Sequence, residues 1–345
     1  MLLVGDITAA LQKGGLHFLL EKIASDLKQG DIVYGNLEFA ITDRGQLVRS
    51  KNWTDGIADR SMKPEDVTAL TKAGFHAMSL ANNHIMDFGS EGLFQTIELL
   101  DAQGIAHCGG GSNLSEARKP AIVECNGVRV AFLSYTSVFA PSFPAAKERP
   151  GVVTVRVQTS FMPHPRNFEQ PGTPPIVTTV PNPEDVEAMR TDVRQAKANA
   201  DLVVVSWHWG VSKRYQRVPY QMDLGRAAID AGASIVVGHH PHVLQGAEAY
   251  HGGVIFYSFG NFVFSLKPGG APPSDRNTLL VDCEIDKTGL RTVSLRPVRV
   301  NNELQPEMVT GKDGTRCLDA LVKDSEEFGT VFKDEGDRLI VNLRN

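Results

Sequence analysis

Ser234-Ile235-Val236-Val237-Gly238-His239-His240-Pro241-His242 is the stretch that decides the reading of this chain. Small and apolar residues of strand character run into a glycine, and three histidines follow within four positions. Ten histidines are spread over 345 residues, so composition does not account for the cluster. A strand buried in a parallel sheet reads as a continuous apolar run. Open α/β sheets bind ligands just beyond the carboxyl ends of such strands. With Pro241 between them, His240 and His242 read as extended and directed to one side.

Working outward, the same event recurs. Residues 2–4 stop at Gly5-Asp6, and 31–34 at Gly35-Asn36-Leu37-Glu38. Residues 75–80 stop at Asn82-Asn83-His84, with Asp87 close behind, and 202–206 at Trp207-His208-Trp209. Helical periodicity predicts helices over 15–27, 64–72, 90–102, 184–199 and 220–231. Asn126-Gly127 marks a hairpin between 121–124 and 128–134. Later strands at 279–284 and 290–300 read as antiparallel. The proline-rich 138–183 segment reads as a long loop or lid. A helix is expected over 315–328 and a strand near 339–343. Strands alternating with helices, then strands alone, imply a mixed-sheet core with helices outside. The expected organisation is one domain over 1–300 and a C-terminal extension over 301–345.

A net charge of −5 argues against nucleic acid as the partner. The four cysteines, Cys108, Cys125, Cys283 and Cys317, form no CxxC pair. No run of about 18 apolar residues is present, so no transmembrane helix is expected. No signal peptide is visible at the start of the chain, and a cytoplasmic protein is the expectation.

The strand-end residues are carboxylates, amides and imidazoles. A single Asp or Asn at a strand end is usually a turn former. Gathered on one sheet edge, these donor types suit a divalent cation such as Mn, Zn or Fe. Two such ions a few ångström apart could clamp a phosphate and generate hydroxide.

Gly5-Asp6, the 35–38 and 80–87 stretches, 238–243 and Tyr257-Ser258-Phe259-Gly260-Asn261-Phe262 together resemble the CapA family of capsule and poly-γ-glutamate biosynthesis. That family lies in the calcineurin-like metallophosphatase superfamily. The resemblance, over roughly 2–264, implies a four-layer α/β/β/α sandwich with mixed sheets. It implies a dinuclear site in which Asp6 and His242 hold the first metal. Asn83, His208 and His240 would hold the second, Glu38, or else Asn36, would bridge, and His84 would act as acid. The pattern departs at Thr8, where the superfamily has a histidine, and at Glu38, where it has an aspartate directly after glycine. His239, Asn36 and Asp87 are expected to support the ligands. Arg214, Arg276 and Asn261 are candidate substrate contacts.

The leading expectation is a metal-dependent hydrolase acting on a phosphoester or on an amide or peptide polymer. A second is a metal-independent peptide epimerase, with Asp6 and His240 or His242 exchanging a Cα proton from opposite faces. A third is a non-catalytic partner in polymer assembly or export.

Overall fold

Two sheets face each other, and each is covered on its outer side by helices. The computed structural model describes residues 1–9, 14–51, 61–264 and 275–343. The first sheet runs Phe332–Asp334, Leu339–Val341, Gly289–Val300, Asn277–Asp286, Leu2–Thr8, Val33–Leu37, Ala77–Ser79, Ala106–Cys108. Its last four strands are parallel to one another. The second runs Leu244–Tyr250, Gly253–Phe259, Ile235–His239, Leu202–His208, Val128–Thr136, Ala121–Cys125. Its four central strands are parallel, and an antiparallel strand closes each edge.

Side-chain alternation along these strands creates three cores, which is why there are four layers. Leu202 and Val204 point between the sheets, where they meet Phe132, Phe256, Leu3 and Val281. Tyr34 of one sheet stacks on Phe132 of the other at 4.5 Å. Val203 and Val205 point outward under Met189, Val193 and Leu224 of the helices Pro183–Asn199 and Pro219–Asp230. On the far side, Val4 and Ile7 meet Leu16, Leu19, Leu70 and Leu93 of the other helices. The α/β/β/α sandwich is thus the arrangement found.

Three local expectations change. Residues 15–27 form two short helices, Gly15–Leu20 and Ala24–Leu27. Leu16, Leu19, Leu20, Ile23 and Leu27 are all buried nonetheless, because the same apolar stripe seats a broken helix. The 138–183 segment carries an antiparallel hairpin, Val157–Met162 with Ile176–Pro181. Both of its faces are largely exposed, so no apolar alternation marks it in the sequence. Residues 315–328 are one α-helical stretch, Asp319–Ser325, between two 3-10 turns.

The C-terminal residues join the first sheet, since Leu339–Val341 pairs with Gly289–Val300. Among the described residues no helix is long and apolar enough to cross a membrane.

Candidate metal centre

The parallel strands of both sheets deliver their carboxyl ends to one edge of the sandwich. Asp6 lies within Leu2–Thr8, where the pairing register shifts against Val33–Leu37 and against the short strand Asn261–Phe264. Such irregularities re-aim a side chain. Two glycines permit the approach. A Cβ on Gly5 would lie 2.3 Å from the Gly260 carbonyl oxygen, and one on Gly238 would lie 2.1 Å from that of Tyr257.

Asp6 is fully buried and central. Its Oδ1 accepts from Asn36 Nδ2 at 2.9 Å, and its Oδ2 accepts from the His240 backbone N–H at 3.2 Å. His239 Nδ1 lies 3.0 Å from Oδ1, and His242 Nδ1 lies 3.5 Å from Oδ2. Burial alone would raise the Asp6 carboxyl, but the contacts with His239 and His242 hold it well below the usual carboxylate range.

Glu38 is also fully buried, yet among the described residues neither carboxylate oxygen finds a hydrogen-bond partner. Its Oε1 lies 3.8 Å from His242 Nε2 and 3.9 Å from His208 Nε2. Burial, then the Asp6 charge, pushes Glu38 up to about 8. Burial would lower His242, but Glu38 and Asp6 beside it push it up to about 9. An unpartnered buried carboxylate is costly. Ligand atoms of Asp6, Glu38 and His242 all lie within 4.8 Å of one another. This donor set fits a divalent cation.

A second group adjoins the first. His208 Nε2 lies 2.8 Å from Asn83 Oδ1, and the His208 and His240 rings are 4.9 Å apart. Burial, together with the neighbouring imidazole charges, lowers both: His240 falls to about 3 and His208 well below its ordinary value. Neutral imidazoles are the form that binds metal. Asn36 is not placed as a bridge, since its amide is tied to Asp6 and faces His208 Nδ1 at 3.4 Å.

The two loop histidines are not extended. His240 has φ +91° and His242 has φ +58°. Left-handed backbone at non-glycine residues costs on the order of 1–3 kcal/mol each and gathers at functional sites. Here the Asp6 contact to the His240 N–H and a 2.9 Å contact between His242 Nδ1 and Asn261 Oδ1 hold the turn. Asn261 therefore orients a histidine.

The stretch after Ala77–Ser79 is braced by Asn82, which sequence reasoning gave no role. Its side chain donates to the Leu37 carbonyl and accepts from the backbone N–H of His84 and Ile85. His84 Nδ1 lies 2.7 Å from Asp87 Oδ2, and Phe39 packs edge-on against the ring. Burial pushes His84 down to about 4, with the Lys51 charge adding to the shift. Lys51 was also missed, because nothing in its local sequence marks it.

Arg214 is exposed in the loop after Leu202–His208, where its backbone carbonyl accepts from Gln245. Arg276 donates to Asn302 at 2.7 Å. Asp6 and His242 are in contact, which leaves no room for a substrate carbon between them. Opposite-face proton exchange by that pair is therefore not supported.

Residues 1–266 match the family described as bacterial capsule synthesis protein PGA_cap. The chain belongs to this family. It is 31% identical to the capsule biosynthesis protein CapA of Bacillus anthracis, over all of this chain and 78% of that one. It is 32% identical to the PGA biosynthesis protein CapA of Bacillus subtilis strain 168, over 96% of this chain and 77% of that one. A probable polyglutamine synthesis accessory protein of Mycobacterium tuberculosis is 29% identical, over 90% and 76%. Among solved structures, TT1561 of Thermus thermophilus aligns with a TM-score of 0.36 at 9% identity, over 84% of this chain and 96% of that one. The matched PGA_cap region contains every residue of the cluster.

Proposed function

We propose that this PGA_cap protein is a metal-dependent hydrolase serving capsule or polyglutamate biosynthesis, cleaving a phosphoester or an amide of a peptide polymer. The observation that carries the proposal is the buried Asp6–Glu38–His242 group, with a Glu38 carboxylate that has no hydrogen-bond partner among the described residues. Asp6, Glu38 and His242 would hold one divalent ion. Asn83, His208 and His240 would hold a second, with Glu38 between them. Such an ion supplies Lewis-acid polarisation and lowers the pKa of bound water to near neutrality.

The chain's own groups do the rest. His84 is held through Nδ1 by Asp87, so Nε2 is the nitrogen that serves the cleft. The buried ring starts neutral, takes a proton at Nε2 from solvent water as an anionic substrate docks, and passes that proton from Nε2 to the leaving group. His239 fills the space behind Asp6 and meets Phe259 edge-on, which keeps water from the back of the site.

Elemental analysis of the purified protein, with p-nitrophenyl phosphate turnover after Mn²⁺ addition, tests the reading. Absence of both bound metal and turnover would remove it. The accessory role named for the mycobacterial relative supports a second reading, a non-catalytic assembly partner. A His240→Ala/His242→Ala double variant with unchanged polymer output would favour that one.

A further inference from the structure

The loop that follows Leu202–His208 is fixed along its backbone and open along its side chains. At its start the Gly210 N–H donates to the Tyr220 hydroxyl at 2.6 Å. At its end Arg217 sits over the Tyr257 and Phe328 rings and pairs with Asp324 and Glu327. Between these anchors the Lys213 N–H donates to the Pro241 carbonyl at 2.7 Å, and the Arg214 carbonyl accepts from Gln245 Nε2 at 2.9 Å. Lys213 makes its contact at φ +60°, a left-handed backbone that a lysine seldom adopts. The six residues from Val211 to Gln216 are nevertheless all exposed.

Pro241 stands between His240 and His242, and both imidazoles reach solvent: His240 is 9% exposed and the His242 side chain 14%. A loop bonded to the Pro241 carbonyl therefore borders the opening of the site. In a chain of net charge −5, residues 210–217 hold three cations and no acid. Arg217 is paired, but among the described residues Lys213 and Arg214 are in no ion pair. The acid that meets the loop, Asp275, accepts from the Tyr215 hydroxyl at 3.2 Å. Val211 and Tyr215 expose apolar surface on either side of the two cations. A chain of carboxylates on methylene stems matches this pattern, with its charges on Lys213 and Arg214 and its stems on Val211 and Tyr215. A compact phosphate would use the cations and leave the apolar side chains bare.

We propose that residues 211–216 form a subsite for the acidic chain that extends beyond the reacting bond, with Lys213 and Arg214 reading its carboxylates. The proposal rests on the reading of the site as one that serves a polyglutamate. It adds where the rest of the polymer is held and which side chains select it.

The test is binding of a short fluorescent γ-glutamate oligomer to the full chain as purified, read by anisotropy. Lys213→Gln/Arg214→Gln is compared with Lys28→Gln/Lys287→Gln. The second pair removes the same charge from exposed positions at the opposite sheet edge, where Leu2–Thr8 begins. Loss of two exposed ion pairs weakens binding by about 2- to 30-fold. The loop variant should show that loss and the distant variant none. Wild-type affinity should fall as salt shortens the Debye length from about 10 to 3 Å, and the loop variant should respond less steeply. A loop variant that binds like the wild type overturns the proposal, as does an equal loss in both double variants or a wild type that does not bind the oligomer. Inorganic polyphosphate that binds more tightly than the oligomer, through the same two residues, overturns the choice of a carboxylate chain. Binding requires no turnover, so a wild type that holds the oligomer through this loop but hydrolyses nothing removes the hydrolase reading and leaves the subsite standing. Should the loop variant fail to fold, Lys213→Asn, which suits left-handed backbone, replaces Lys213→Gln.

Discussion

Glu38→Gln probes a fully buried carboxyl at the centre of the site. In the metal-free state burial and Asp6 push Glu38 from 4.5 up to about 8. A group raised in the folded state favours folding at low pH, and that advantage is lost as pH rises from the unfolded value through the folded one. For Glu38 the window runs from 4.5 to about 8. At about 1.4 kcal/mol per pH unit, it removes about 3 kcal/mol of stability by pH 7. Glutamine does not titrate, although its buried amide would forgo hydrogen bonds worth about 1–3 kcal/mol. In EDTA, then, the urea stability of the wild type should fall relative to that of Glu38→Gln as pH rises across this window. Mn²⁺ at about a hundredfold over its Kd should stabilise the wild type by about 2.7 kcal/mol. Most of that gain should vanish in Glu38→Gln. Equal pH slopes, or equal stabilisation by Mn²⁺, would refute the assignment of Glu38 as a ligand held without other partners.

The other perturbations are simpler. Asn82→Ala removes four hydrogen bonds at a fully buried position, so it should cost about 1–3 kcal/mol in urea melts and lower turnover through His84. Unchanged stability would show that the turn is held by other contacts. Gly238→Ala would drive a methyl group into the Tyr257 carbonyl and toward Trp209 Nε1, which donates to that carbonyl at 2.8 Å. Overpacking of this kind costs about 1–3 kcal/mol, and tryptophan fluorescence should shift; a neutral effect would mean the strands part easily. His240 and His84, lowered to about 3 and 4, favour the metal-free fold above 6.5, and this contribution is lost as pH falls toward those values. His242, raised to about 9, favours it below 6.5, with loss as pH rises through 9. Metal-free stability should therefore peak near neutrality, and a denaturation midpoint still rising at pH 9 would contradict these directions.

Much of the site could be read from local sequence because each ligand-type residue follows directly on an apolar strand. Gly5-Asp6 and Gly238-His239-His240 also carry the glycine that lets neighbouring backbone come close. Asn126-Gly127 marked its hairpin because both residues take positive φ there. Other features left no such trace. The Val157–Met162 hairpin is exposed on both faces, so its strands have no apolar period to detect.

The sequence by itself determined a mixed-sheet core with helices outside and, through its motifs, the family whose resemblance implied the four-layer sandwich, since apolar runs and strand-end chemistry are local properties of the chain. Only the tertiary structure decided that His240 and His242 turn through left-handed backbone. It also decided that Glu38 rather than Asn36 faces His242, and that Lys51 closes over Asp87. The physical reason is that those three outcomes are fixed by contacts between residues far apart along the chain, where a carboxylate, an amide or an ammonium finds its partner only after the two sheets have packed.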